Sequence, residues 1–240
     1  MGLSTAGMDG SRIPNGDVIA QGCPGPLIST HEPLQSSEMV RGKDIEEILR
    51  GVTHSRCVGV EITNKTAVNL RSPSFFCYSG HTCIPPAPAI SPGCKETCVF
   101  VKRNFSAWGV AGVLAYEWDG FSFIVMFLNP FDNNLNRLQY ALEIREGRMS
   151  CRELESLYHS MRGHRPLSST YQKEQLGRNT AALVVTLHSF QISATMSNHS
   201  KAALRLVIEE RGSPPCYTPL PPCSQQPSSL VPRFSQKLTK

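Results

Sequence analysis

The sequence predicts a mainly β fold: a β-sandwich flanked by two short α-helices, set between disordered N- and C-terminal tails. Three observations lead there. The most apolar passage, residues 108–128, is split at its middle by a turn signal. Alternating or β-branched runs recur through both halves of the chain. Two short segments, at 43–52 and from Ser150 onward, carry helical rather than strand periodicity.

The passage WGVAGVLAYEWDGFSFIVMFL has the length of a membrane span, which needs ~20 apolar residues. Glu117 and Asp119 fall in its middle, where each carboxylate costs a spanning helix roughly 3 kcal/mol. Asp119-Gly120 instead reads as a hairpin turn whose central positions need positive φ. On one side Val110, Gly112, Leu114 and Tyr116 alternate with Ala111, Val113 and Ala115. On the other, Phe121, Phe123, Val125 and Phe127 alternate with Ser122, Ile124, Met126 and Leu128. Two strands apolar on both faces belong in the middle of a buried sheet.

The first helix is expected over 43–52, with Asp44 and Glu47 spaced as a capping box. Ile45, Ile48, Leu49 and Val52 lie within an arc of roughly 100°, opposite Glu46, Glu47 and Arg50. Such a stripe either docks on the sheet or can detach into a bilayer interface. Strands are expected at 56–63, 67–78, 98–103, 138–144, 181–194 and 201–209, with a turn at 197–200 joining the last two. The four prolines of 84–92 make that stretch an extended loop, and 129–134 is a turn cluster. The second helix starts at Ser150, with Glu153 completing a capping box and Leu154, Leu157, Tyr158 and Met161 forming one apolar face.

Residues 1–37 and 211–240 are rich in Gly, Ser, Pro and Gln and lack periodicity, so both are expected to be disordered around one domain at 38–210. The net charge of +5 is scattered, with no basic stripe of the kind a nucleic-acid partner requires. Met1-Gly-Leu-Ser opens without a basic or apolar leader, so no secretory signal is evident. Asn64, Asn104 and Asn198 begin glycosylation sequons, which matter only on a secretory route. The nine cysteines form an odd set without C-x-x-C pairs. Cys94 and Cys98, with Cys77, Cys83 and His81, can be drawn as a zinc site, but free thiols are the preferred reading. Motifs for nucleophilic, metal-dependent or phosphate-binding catalysis are missing, so the reading is a binding protein without enzyme activity, cofactor or metal.

Gly112-Val-Leu-Ala-Tyr116, Asp119-Gly120, Pro130-Phe-Asp132 and Leu157-Tyr158, in that order and spacing, resemble the actinoporins. These are sea-anemone pore-forming cytolysins with actinoporin-like relatives in vertebrates. The similarity covers roughly 44–209 and runs nearly ungapped from Trp108 to Tyr140. It implies the actinoporin-like, cytolysin–lectin sandwich. It also implies docking on phosphocholine headgroups, especially sphingomyelin, followed by insertion of the N-terminal helix and homo-oligomerisation into a cation-conducting pore. By resemblance, Ser79, Pro130, Phe131, Tyr140 and Tyr158 match headgroup-site positions, and Ile45, Ile48, Leu49 and Val52 mark the inserting helix. The protein is then expected to be soluble when made and membrane-associated when active.

Several positions depart from the toxins. Leu135, Asn136 and Gln139 stand where exposed Trp and Tyr anchor the family's membrane loop, Leu154 and His159 replace headgroup tyrosines, and Ala111 replaces a valine. Arg162-Gly-His164 replaces Arg-Gly-Asp. These changes keep open an alternative, a non-lytic lipid- or glycan-binding module on the same fold.

Overall fold

The computed structural model describes residues 17–19, 43–132, 135–177 and 181–212. The chain runs β1 (Asp17–Ile19), α1 (Ile45–Gly51), β2 (Cys57–Asn64), β3 (Leu70–Ser79), β4 (His81–Ile84), β5 (Ala89–Ile90), β6 (Lys95–Val101), β7 (Val110–Trp118), β8 (Phe121–Asn129) and β9 (Gln139–Glu146). A 3-10 turn, Cys151–Glu153, leads into α2 (Leu154–Arg162), followed by β10 (Tyr171–Gln175), β11 (Leu183–Leu187), β12 (Phe190–Met196) and β13 (Lys201–Glu210).

Two sheets form a sandwich. One is ordered β1-β3-β7-β8-β9-β10, with β5 also on β3; the other is ordered β11-β12-β13-β2-β6-β4. β13 lies parallel to β2, from Lys201 opposite Cys57 to Ile208 opposite Asn64, so the two ends of the domain close the second sheet. The central hairpin pairs Val110 with Asn129 and Trp118 with Phe121. Asp119 (φ 37°) and Gly120 (φ 86°) supply its two positive φ angles.

Why the hairpin is apolar on both faces is now explicit. Leu114, Tyr116, Trp118, Phe123, Val125 and Phe127 face the space between the sheets. Ala111, Val113, Ala115, Ile124 and Met126 face outward, under Leu154, Leu157, Tyr158 and Met161 of α2. On the outer face of the second sheet, Ile45, Ile48 and Leu49 of α1 pack on Cys57, Val99, Val101 and Ala203. Gly59 lets α1 sit close: a Cβ there would lie 3.0 Å from Leu49 Cδ2 and 3.1 Å from Ile45 Cδ1.

The structure corrects the sequence reading in several places. Asp44 is the N-cap of α1, but its side chain makes no capping bond; its carboxylate lies 3.8 Å from Arg205. Ser150 accepts from the Arg152 amide across a 3-10 turn, and α2 proper begins at Leu154. The stretch 181–194 is two strands rather than one, turned at His188, which adopts φ 52°. The strand β10 escapes pattern reading because only Tyr171 is buried in it. Within the predicted proline loop, Ala89 and Ile90 pair with Arg71 and Leu70. The expected disordered tails, 1–37 and 211–240, lie outside the described residues except at two points. Asp17–Ile19 form a strand on Phe75–Cys77, and residues 211–212 follow β13 as a turn.

Candidate functional site

One end of the sandwich carries a cavity of about 180 Å³, where the end of β3, the start of β7, the loop after β8 and α2 meet. A bulge in β3 lies between Cys77 and Ser79, and both Tyr78 and Ser79 line the cavity; bulges commonly re-aim side chains in this way. Gly109 permits the close approach of the next wall, since a Cβ there would fall 2.0 Å from the Asn129 carbonyl oxygen. Ser79 Oγ donates to the Gly109 carbonyl at 2.7 Å and ties the two walls together.

Tyr158 forms the floor. Its ring is fully buried, stacked on Tyr78 and edged by His159. Its hydroxyl is buried and makes no well-formed hydrogen bond among the described residues, with the Arg162 guanidinium close enough to act on it. Burial pushes this phenol up to about 12, against the opposing charge of the nearby Arg162. The Arg162 guanidinium lies 5.8 Å from the Tyr78 ring centre and also lines the cavity. At the mouth, Phe131 is half exposed, with the Lys102 ammonium 5.2 Å from its ring centre. Trp108 is 61% exposed and lines the same cavity.

This arrangement suits a zwitterion. A buried hydroxyl donor and a guanidinium offer hydrogen bonds to anionic oxygens. The exposed Trp108 indole offers cation–π attraction to an ammonium group. Leaving the Tyr158 hydroxyl without a well-formed hydrogen bond costs about 1–3 kcal/mol, a cost that a bound oxygen acceptor relieves.

Ser79, Pro130, Phe131 and Tyr158 are brought together here. Tyr140 is not. It lies in the core between the sheets with Leu142 and Ile144, and its hydroxyl donates to the Ala181 carbonyl at 2.9 Å. Strand alternation sends it inward, and that part of the expected headgroup site is withdrawn. Of the positions that differ from the toxins, Ala111, Leu135 and Asn136 line the cavity, while Leu154, at the start of α2, is buried against the outer face of the first sheet. Sequence reasoning missed Tyr78, Trp108 and Arg162. Arg162 was within reach, being one helical turn after Tyr158 on the same face.

Ile45, Ile48 and Leu49 are buried and Val52 is partly buried, all on the second sheet and away from the cavity. Arg205 pairs with Glu46 and reaches Asp44 and Glu61. Lys201 Nζ donates to the Val52 carbonyl at 2.6 Å. Among the described residues no helix is long and apolar enough to cross a membrane, and no group of three His, Cys, Asp or Glu could hold a metal ion. Cys57 and Cys98 are buried in strands, and burial pushes the Cys57 thiol up to about 11 and that of Cys98 further. A larger cleft of about 740 Å³ beside the cavity is lined by Gln139, Arg162, His164, Arg165, Leu167 and Lys173 among others.

No protein-family model matches the chain, and no curated protein matches it either. Among solved structures it is similar to the lipid-binding protein Nakanori, with a TM-score of 0.56 and 17% identity over 69% of this chain and 77% of that one. This likeness shows a shared fold. Weaker similarities are to RahU protein in complex with TRIS (TM-score 0.34, 7% identity, 68% and 100% covered) and to IP-1A from Alcaligenes faecalis (TM-score 0.33, 9% identity, 65% and 92% covered). Those two are too distant to bear on the argument.

Proposed function

We propose that this protein is a membrane-binding protein, not an enzyme, that docks on phosphocholine lipids by seating the headgroup in the end cavity. The observation that carries the reading is the buried Tyr158 hydroxyl, without a well-formed hydrogen bond and beside Arg162, in an aromatic-rimmed cavity. In the bound state Tyr158 and Arg162 hold phosphate oxygens, and Trp108 with Phe131 meets the trimethylammonium. Pro130 and Ser79 hold the walls. The resemblance to the actinoporins names sphingomyelin as the expected lipid, and the lipid-binding function in Nakanori's name is consistent with a lipid partner.

The test is sedimentation with vesicles of sphingomyelin, phosphatidylcholine, phosphatidylethanolamine or phosphatidylglycerol. Binding to the two choline lipids and not to the others supports the reading. Equal binding to all four, or to none, sinks it.

The resemblance supports a further step, in which α1 leaves the sheet, enters the target membrane and joins other copies in a cation-conducting pore. The stripe of Ile45, Ile48, Leu49 and Val52 is what favours it. Undocking exposes three buried aliphatic side chains, each worth about 1.5–3 kcal/mol, so transfer into lipid must offset several kcal/mol. The seven residues of α1 extend only ~10 Å at 1.5 Å per residue, against a hydrocarbon core of ~30 Å. Spanning therefore needs helix added from the residues before Ile45. Without that extension the protein is a non-lytic binding module, and dye retained by vesicles that the protein coats is the result that selects this alternative.

A further inference from the structure

The loop from Lys102 to Gly109 joins β6 to β7 at the cavity end, and its shape is not explained by packing. Phe105 is fully exposed and held at φ 58°, a left-handed conformation that aromatic residues rarely adopt. Strained backbone of this kind persists where the surroundings fix it and clusters at functional sites. Here the Ser106 amide donates to the Arg103 carbonyl at 3.3 Å and the Trp108 amide donates to Ser106 Oγ at 3.0 Å. The Lys102 ammonium bonds the Arg103 carbonyl and lies over the Phe131 ring, tying the loop to the opposite rim.

The exposed large apolar side chains concentrate around this end. Trp108, Phe131 and Leu135 all line the cavity mouth, at 61%, 48% and 80% exposure, and Phe105 lies three residues before Trp108 on the same loop. Contiguous exposed apolar surface marks an interaction site. An exposed aromatic rim beside the exposed Arg103 has the composition that sits at the headgroup level of a bilayer.

We infer that the Lys102–Gly109 loop is a bilayer-inserting wedge, with Phe105 entering the acyl boundary and Trp108 resting at headgroup depth. The occupant is a lipid surface. The inference rests on the proposed headgroup site, because the patch rings that cavity and only a ligand presented in a plane would be met by both. The wedge supplies affinity through apolar burial, whereas the cavity supplies headgroup choice.

The chain has two tryptophans, and Trp118 is 2% exposed, so a change in emission on vesicle binding reports Trp108. The full chain, titrated with sphingomyelin vesicles, is expected to show a blue shift and quenching by lipids brominated near the headgroup end of the acyl chain. Phe105→Ser is expected to weaken vesicle partitioning by about tenfold, the loss of one buried aromatic side chain. Its melting curve and its binding of soluble glycerophosphocholine should match wild type, because Phe105 does not line the cavity.

Unchanged partitioning of Phe105→Ser, or vesicle binding without an emission shift, overturns the wedge. If Tyr158→Phe still loses affinity, the headgroup reading survives that failure. Loss with Phe105→Ser alone, and none with Tyr158→Phe, keeps the wedge and removes the headgroup reading. Lipid-free self-association that Phe105→Ser abolishes assigns the patch to a second copy of the chain and also overturns the wedge.

Discussion

Tyr78 and Tyr158 stack with ring centres 4.9 Å apart and planes 18° from parallel. The bulge in β3 places the first ring, and the apolar face of α2 places the second. Their contact fixes where the Tyr158 hydroxyl stands. Tyr78→Leu keeps apolar volume but removes a ring pair worth about 0.5–1.5 kcal/mol. Melting should fall by a few degrees, and affinity for sphingomyelin vesicles should drop severalfold because the phenol is no longer held in register. Calorimetry and sedimentation on one preparation measure both.

Alkaline pH should expose the buried phenols. Burial pushes Tyr140 and Tyr158 each up to about 12, from an ordinary value near ~10. A folded-state value above the unfolded one means the unfolded chain loses these protons first. Their contribution to stability is therefore full below pH ~10 and is lost as pH rises through about 12. Denaturant midpoints should hold steady from neutral pH to ~10 and then fall, with tyrosinate absorbance rising in step. Tyr158→Phe should make that fall shallower.

Arg165 forks onto Glu143 with bonds of 2.7 and 2.8 Å, and its guanidinium lies 4.2 Å from the Tyr171 ring centre. Glu143 is buried on the outer face of β9, so removing its partner strands a carboxylate. Arg165→Ala should cost about 2–4 kcal/mol, discounted for the partial exposure of the arginine. Arg165→Lys should recover only part of it, because an ammonium cannot form the fork. Chemical denaturation of the three proteins gives the comparison.

Ile45 and Gly59 face one another across the α1–β2 contact, with Ile45 Cγ1 3.2 Å from where a Gly59 Cβ would stand. That separation admits a disulfide in Ile45→Cys/Gly59→Cys. The oxidised pair should bind sphingomyelin vesicles as the reduced form does. If α1 inserts, dye release should vanish on oxidation and return on reduction. Release that ignores the lock excludes α1 from any pore.

Much of the fold is legible in the sequence because two-sided burial writes itself as two-sided apolarity. The β7–β8 hairpin is readable from Asp119-Gly120 and from residues such as Val113 and Ile124, which answer to α2 rather than to the sandwich core. Elements with little burial leave no such mark: β10 has a single buried side chain, and β4 has none fully buried. The cavity is harder to read because it gathers residues from β3, α2 and two loops. Ser79 and Tyr158 could be matched by resemblance, yet Tyr140 shows how a position matched the same way can point inward when strand alternation places it there. Trp108 and Phe105 look like ordinary loop residues until their exposure is known.

The most direct measurement takes Tyr158→Phe and follows stability and sphingomyelin-vesicle affinity together. Removing a buried hydroxyl that makes no well-formed hydrogen bond should leave the protein as stable as wild type or up to about 1 kcal/mol more stable. The same change should weaken vesicle binding about tenfold, through loss of a hydrogen bond to a charged phosphate oxygen. Undiminished affinity in a correctly folded Tyr158→Phe protein contradicts the account.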